Sequence, residues 1–192
     1  LRSEGLDVRL LAPENEDAYG PQPDYPLKHF RFPVFENLIE SNGFRFAAID
    51  TEMLDKAVMW ADIIHVQEAF PLESKVIGIA ERQGKPCVAT YHLFAQNVVA
   101  NAIHGESDNP VNHVLDWWWK EYVFNRCSFI HCPTETVRRH LESQGYDAGL
   151  EVFSNGISLG ENHRMVRHSA HPDGPVRLLC IGRLSYEKSQ ST

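Results

Sequence analysis

The sequence predicts an α/β fold: a Rossmann-like parallel sheet with helices on both faces. Two observations predict it. Short apolar runs alternate along the chain with amphipathic stretches of helical period. Several of those stretches stop at a glycine just before the next apolar run begins, as crossover helices do on returning to a parallel strand.

Taken in order, Asp7–Leu11 (DVRLL) reads as a strand that follows a helix tail stopping at Gly5. His29–Val34 and Phe44–Ala48 are short, partly alternating strand candidates. Thr51–Trp60 is helical, with Thr51 expected at the N-cap and Glu52 in the first turn. Asp62–Val66 (DIIHV) is a short buried strand, Pro71–Arg82 an amphipathic helix closed by Gly84, and Pro86–Thr90 (PCVAT) the next strand. A long helical region, Val111–Asn125, precedes the strand Phe129–Cys132. Thr134–Gln144 is a helix stopped by Gly145, and Glu151–Ser154 is a further strand. Ser158–Pro175 is polar, carries His163, His168 and His171, and ends in His-Pro-Asp-Gly-Pro, so it reads as a linker. Val176–Ile181 (VRLLCI) then opens another buried strand. The expected organisation is a domain over 1–157, a linker over 158–175, and the first strand and loop of a second domain over 176–192. Because a lone opening strand cannot bury itself, and the chain starts within a helix, it reads as cut at both ends.

Composition narrows the function. With 192 residues, 43% of them hydrophobic, the chain can bury a full domain core. A formal net charge of −8 and a pI near 5.6 argue against a nucleic-acid partner and against a dominant attraction to anionic lipid. No apolar run approaches the ~20 residues that span a bilayer, and the start lacks a signal-like apolar stretch. Cys87, Cys127, Cys132 and Cys180 are scattered and read as buried thiols of a reducing compartment, the cytoplasm. Cys127 and Cys132 have no second pair, and the linker histidines no Cys or carboxylate framework, so no metal site is expected. The lack of a Gly-x-Gly-x-x-Gly after any strand argues against a nicotinamide-dependent oxidoreductase.

Four stretches together carry a resemblance: LRSEGLDVRLLAP at the start; ADIIHVQEAFP followed by GKPCVATYH; SFIHCPTETVRRHLESQGY leading to VFSNGIS; and LLCIGRLSYEK. The chain resembles the retaining family 4 (group 1) glycosyltransferases, whose GT-B fold faces two Rossmann-like domains across a cleft. The resemblance implies a hexosyltransferase that moves a sugar from a nucleotide-diphosphate sugar, a UDP-sugar, to a lipid or glycan hydroxyl with retention of configuration. It implies no cofactor beyond the donor and no metal. A looser resemblance, from Tyr91 through the Trp-rich helix to FIHCP, is to bacterial diacylglycerol glucosyltransferases; it implies a lipid acceptor and peripheral contact with the inner face of the cell membrane.

Breaking the bond to a diphosphate builds negative charge on the leaving oxygen, which positioned cations stabilise. Arg183 and Lys188 follow a strand five residues apart, and the resemblance makes them the donor diphosphate contacts. His92 ends the run PCVATYH at the carboxyl edge of the sheet, where open α/β sheets bind ligands. By resemblance it lies beside the transferred sugar, as the catalytic residue that bonds a sugar hydroxyl or orients the acceptor. Asn155 and Gly156 read as a turn with a minor share in substrate contact. His65 and His131 read as packed histidines bonded to nearby backbone. Trp117, Trp118 and Trp119 spread around a helix, so at least one must leave the core and meet solvent, a partner or a membrane. The same motifs also fit a second reading, a non-catalytic fold remnant or acceptor-binding module. The missing family segments at both ends imply that the chain alone is not competent.

Overall fold

A computed structural model describes residues 2–15, 21–31, 45–103 and 109–156. The centre of the fold is a four-stranded, fully parallel sheet in the order β5-β6-β7-β8. Its strands are β5 (Ile64–Val66), β6 (Cys87–Thr90), β7 (Phe129–Cys132) and β8 (Gly149–Val152). Registers Val66↔Ala89, Ala89↔Ile130 and Ile130↔Leu150 align one face across all four strands. That face merges with side chains of α2 (Pro71–Arg82), α4 (Pro110–Tyr122) and α5 (Glu135–Ser143) into one core holding Val76, Ile77, Ala80, Trp119, Val137 and Leu141. Pleating puts His65, Val88, Thr90, Phe129 and His131 on the opposite face.

Two smaller pairs lie earlier in the chain. β1 (Leu11–Pro13) runs parallel to β2 (Tyr25–Leu27), and β3 (His29–Phe30) runs antiparallel to β4 (Phe46–Ala47). Helix α1 (Thr51–Trp60) buries Leu54, Ala57 and Val58. The strand expected over Asp7–Leu11 starts only at Leu11; the Arg9 guanidinium before it lies 4.1 Å from the Trp60 ring centroid and 3.0 Å from Tyr25 Oη, tying the approach to β1 to α1 and β2.

Local signals explain most boundaries. Helix α2 starts at Pro71, and Glu73 reaches back to accept from the Phe70 N–H at 3.1 Å. Gly84 and Gly145 stand just past α2 and α5 with φ of +66° and +70°, a conformation that side chains with a Cβ resist. Thr134, expected as the first residue of its helix, instead caps α5, its hydroxyl accepting from Val137 N–H. For α1 the cap is Asp50 rather than Thr51: its carboxylate accepts from Met53 N, which places Thr51 inside the first turn. The last strand begins at Gly149, two residues before the expected Glu151, because its register is set by pairing with β7. The long helical region breaks at Val123 into a short 3-10 turn, Phe124–Arg126. Helix α3 (Ala95–Ile103) and strand β2 have no counterpart among the sequence expectations.

Trp119 is buried, Trp118 half-buried and stacked on Tyr122, and Trp117 54% exposed, the division that helical geometry requires. Cys87, Cys127 and Cys132 are buried free thiols. Burial pushes them up to about 11, 12 and 11, so they are inert as nucleophiles at neutral pH. Among the described residues no helix is long and apolar enough to cross a membrane. The expected linker 158–175 with its three histidines, the strand Val176–Ile181 with Cys180, and Arg183 and Lys188 lie outside the described residues.

Candidate functional site

The carboxyl ends of β5, β6, β7 and β8 gather Gln67, Thr90, His92, His131 and the segment from Phe153 to Gly156 along one edge of the sheet. Tyr91 anchors this edge. Its ring is buried against Phe124 and Phe94, with centroids 4.9 and 5.5 Å away, so strand alternation turns the next residue, His92, outward. His92 is exposed, as its place at the strand end predicts, and its Nε2 sits 3.0 Å from Gln67 Oε1.

Gln67 connects His92 to a second histidine. Its Nε2 lies 3.2 Å from both ring nitrogens of His65. His65 Nε2 is 2.7 Å from Thr90 Oγ1, and Thr90 Oγ1 is 3.3 Å from His131 Nδ1. His131 Nε2 donates to the Phe153 carbonyl at 2.6 Å, and its ring stacks on Phe153 at a 3.7 Å centroid distance. The sequence expectation of backbone bonding holds for His131. It fails for His65, which is exposed and whose partners are the side chains of Thr90 and Gln67, because pleating and register put it on the same sheet face as Thr90.

Electrostatics favour neutral rings. Burial and the neighbouring His131 hold both His65 and His92 below the usual imidazole range, with His92 adding to the effect on His65. On the loop after β5 burial raises the Glu68 carboxyl, and in the first turn of α2 it pushes Glu73 up to about 7. His65 and His92 thus present imidazoles biased toward the neutral form, able to donate from one nitrogen and accept at the other, suited to hydroxyl recognition.

Asn155 and Gly156 close the edge after β8. Gly156 has φ of +65°, and its N–H donates to Ser154 Oγ at 3.1 Å, so the pair forms a turn as expected. The structure brings His92 to the same sheet edge as this turn; Arg183 and Lys188 lie outside the described residues. Among those residues no group of three or more His, Cys, Asp or Glu is placed to hold a metal. Sequence reasoning missed Gln67 and Thr90. The signal available was period two: Gln67 follows His65, and Thr90 precedes His92, by two positions on strands that end at this edge.

Against known proteins, the family model described as Glycosyltransferase Family 4 matches residues 1–161. No curated protein and no solved structure matches the chain.

Proposed function

Because this chain belongs to glycosyltransferase family 4, we propose that it serves sugar transfer from a nucleotide-diphosphate sugar, a UDP-sugar, to a lipid or glycan hydroxyl with retention of configuration. One observation carries the reading: an exposed histidine, His92, stands at the carboxyl edge of a parallel sheet within the matched span, held by a side-chain contact rather than buried in the core. In this proposal His92 bonds a hydroxyl of the transferred sugar or of the acceptor. The turn at Asn155 and Gly156 contributes backbone to the same sheet edge.

The leaving diphosphate is stabilised by Arg183 and Lys188, which follow the apolar run LLCIG. Residues 1–157 form the acceptor-side domain of a GT-B pair, 158–175 the linker, and 176–192 the opening of the donor-side domain. A lipid acceptor agrees with the exposed Val111, Val114 and Trp117 on α4, an apolar strip suited to peripheral contact with the inner face of the cell membrane.

The test is transfer of radiolabelled glucose from UDP-glucose to diacylglycerol or to an oligosaccharide acceptor, comparing the full-length protein with its Arg183→Ala/Lys188→Ala variant. The double variant should lose at least about 10²-fold in kcat, the scale of one lost contact to developing charge. Full transfer by that variant would contradict the assignment of the diphosphate site.

A further inference from the structure

The polar contacts along the sheet edge form one unbroken chain: Phe153 carbonyl, His131, Thr90, His65, Gln67, His92. Its two ends differ. A carbonyl oxygen only accepts, whereas each neutral imidazole donates from one nitrogen and accepts at the other. The carbonyl end therefore sets the direction of every bond that follows.

With the Phe153 carbonyl accepting at 2.6 Å, a neutral His131 ring has its proton on Nε2 and a lone pair on Nδ1. Thr90 must then give its hydroxyl proton to His131 Nδ1, which leaves Thr90 Oγ1 to accept from His65 Nε2–H at 2.7 Å. That 2.7 Å contact commits the Nε2 proton of His65, so of the two nitrogens 3.2 Å from Gln67 Nε2 the acceptor is Nδ1. An amide that donates from Nε2 to His65 necessarily turns Oε1 toward His92, the orientation seen, and Oε1 accepts from His92 Nε2–H at 3.0 Å. His92 Nδ1 is then the bare acceptor on an exposed ring.

We propose that this one-way relay, anchored at the Phe153 carbonyl, locks His92 as its Nε2–H tautomer, so that Nδ1 accepts a hydroxyl proton donor in the cleft, and that Thr90 and Gln67 are positioning residues for that hydroxyl. The depressed proton affinities of His65 and His92 keep both rings in the neutral form the relay needs. Among the described residues, the titratable groups facing the relay from the adjoining strands are the three histidines and Glu151 of β8, the register partner of His131; Glu68 and Glu73 lie on the loop and helix after β5. The ligand is defined by chemistry: a hydroxyl that donates, as a sugar or acceptor alcohol does. Its use in sugar transfer rests on the function proposed above, while the relay itself does not.

The test is long-range proton–nitrogen NMR of the histidine rings at pH 8 on the full-length protein, wild type beside Thr90→Val and Thr90→Ser, with turnover measured in parallel. Wild type should show His92, His65 and His131 each as a single Nε2–H form. Thr90→Val, which removes the hydroxyl at constant volume, should leave His92 averaging between tautomers, although His92 is hydrogen-bonded to Gln67 and Thr90 to His65 and His131. It should also lower kcat about tenfold with the donor KM unchanged, and Thr90→Ser should restore both readings. Averaged tautomers at wild-type His92, or an Nδ1–H form there, would overturn the relay even if sugar transfer is intact. Fixed Nε2–H rings in a protein without transferase activity would uphold the relay and remove the functional reading.

Discussion

Gln67 Oε1 lies 3.0 Å from His92 Nε2, a contact that joins the loop after β5 to the loop after β6 across two neighbouring parallel strands. The residue expected to meet substrate is therefore oriented by a side chain from another strand. Replacing Gln67 by Leu keeps bulk and removes both hydrogen-bonding ends. It should reduce kcat roughly tenfold while moving thermal stability by less than about 0.5 kcal/mol, since the lost bonds are solvent-exposed. Parallel thermal melts and steady-state kinetics check it; a loss of stability with unchanged kcat would make Gln67 structural.

Glu73 makes stability depend on pH in an unusual direction. Burial raises it from 4.5 to about 7, so between those values the folded state holds more protons than the unfolded state and stability falls as pH rises. The shift sets a ceiling on the order of 3 kcal/mol, at about 1.36 kcal/mol per unit. His65 and His92 act oppositely: depressed in the fold, they contribute stability above about pH 6.5 that is lost as pH falls. Glu73→Gln should therefore stabilise the protein above pH 7 by about 1–3 kcal/mol and leave stability rising with pH across the acid range. Denaturant titrations at pH 5, 6, 7 and 8 measure both effects.

The tryptophan triplet separates core from surface. Trp119 is 1% exposed, and Trp119→Ala should cost about 3–5 kcal/mol. Trp117 is 54% exposed, so Trp117→Ser should change stability by less than about 0.5 kcal/mol. If α4 meets a membrane, Trp117→Ser should also weaken sedimentation with phospholipid vesicles several-fold. Equal vesicle binding by wild type and variant would remove α4 as the contact.

Arg126 ties the short turn after α4 to α2. Its Nε and Nη2 donate to the two oxygens of Glu81 at 2.9 and 2.6 Å, and Nη1 donates to the Tyr122 carbonyl at 3.1 Å. The Arg126 side chain is 26% and the Glu81 side chain 49% exposed, so solvent screens the pair. Arg126→Ala should cost about 1–2 kcal/mol, more than Glu81→Ala, because it also removes the bonds to the Tyr122 and Ser74 carbonyls. Chemical denaturation of both single variants checks the order.

The sequence made much of this legible where local chemistry governs. Pro71 starts α2, and Gly84 and Gly145 end helices in left-handed backbone; Phe129–Cys132 is a strand with the bounds its apolar run suggests. It failed where pairing or competition between neighbours decides. Asp50 outcompetes Thr51 for the cap of α1, and β8 starts at Gly149 because β7 sets its register. At the site, strand position together with the family resemblance singled out His92. Period two put Gln67 beside His65, but the pairing of His65 with Thr90, 25 residues away, arises only through sheet register. The composition of α3, AQNVVANAI, is apolar without charged ends, which hid it as a helix.

The most direct measurement is turnover of the full-length protein with His92→Ala, using labelled UDP-sugar and a hydroxyl acceptor, beside its thermal melt. The account predicts a fall in kcat of at least about 10²-fold with a melting temperature within a few degrees of wild type. An unchanged kcat would contradict it and take His92 out of the site.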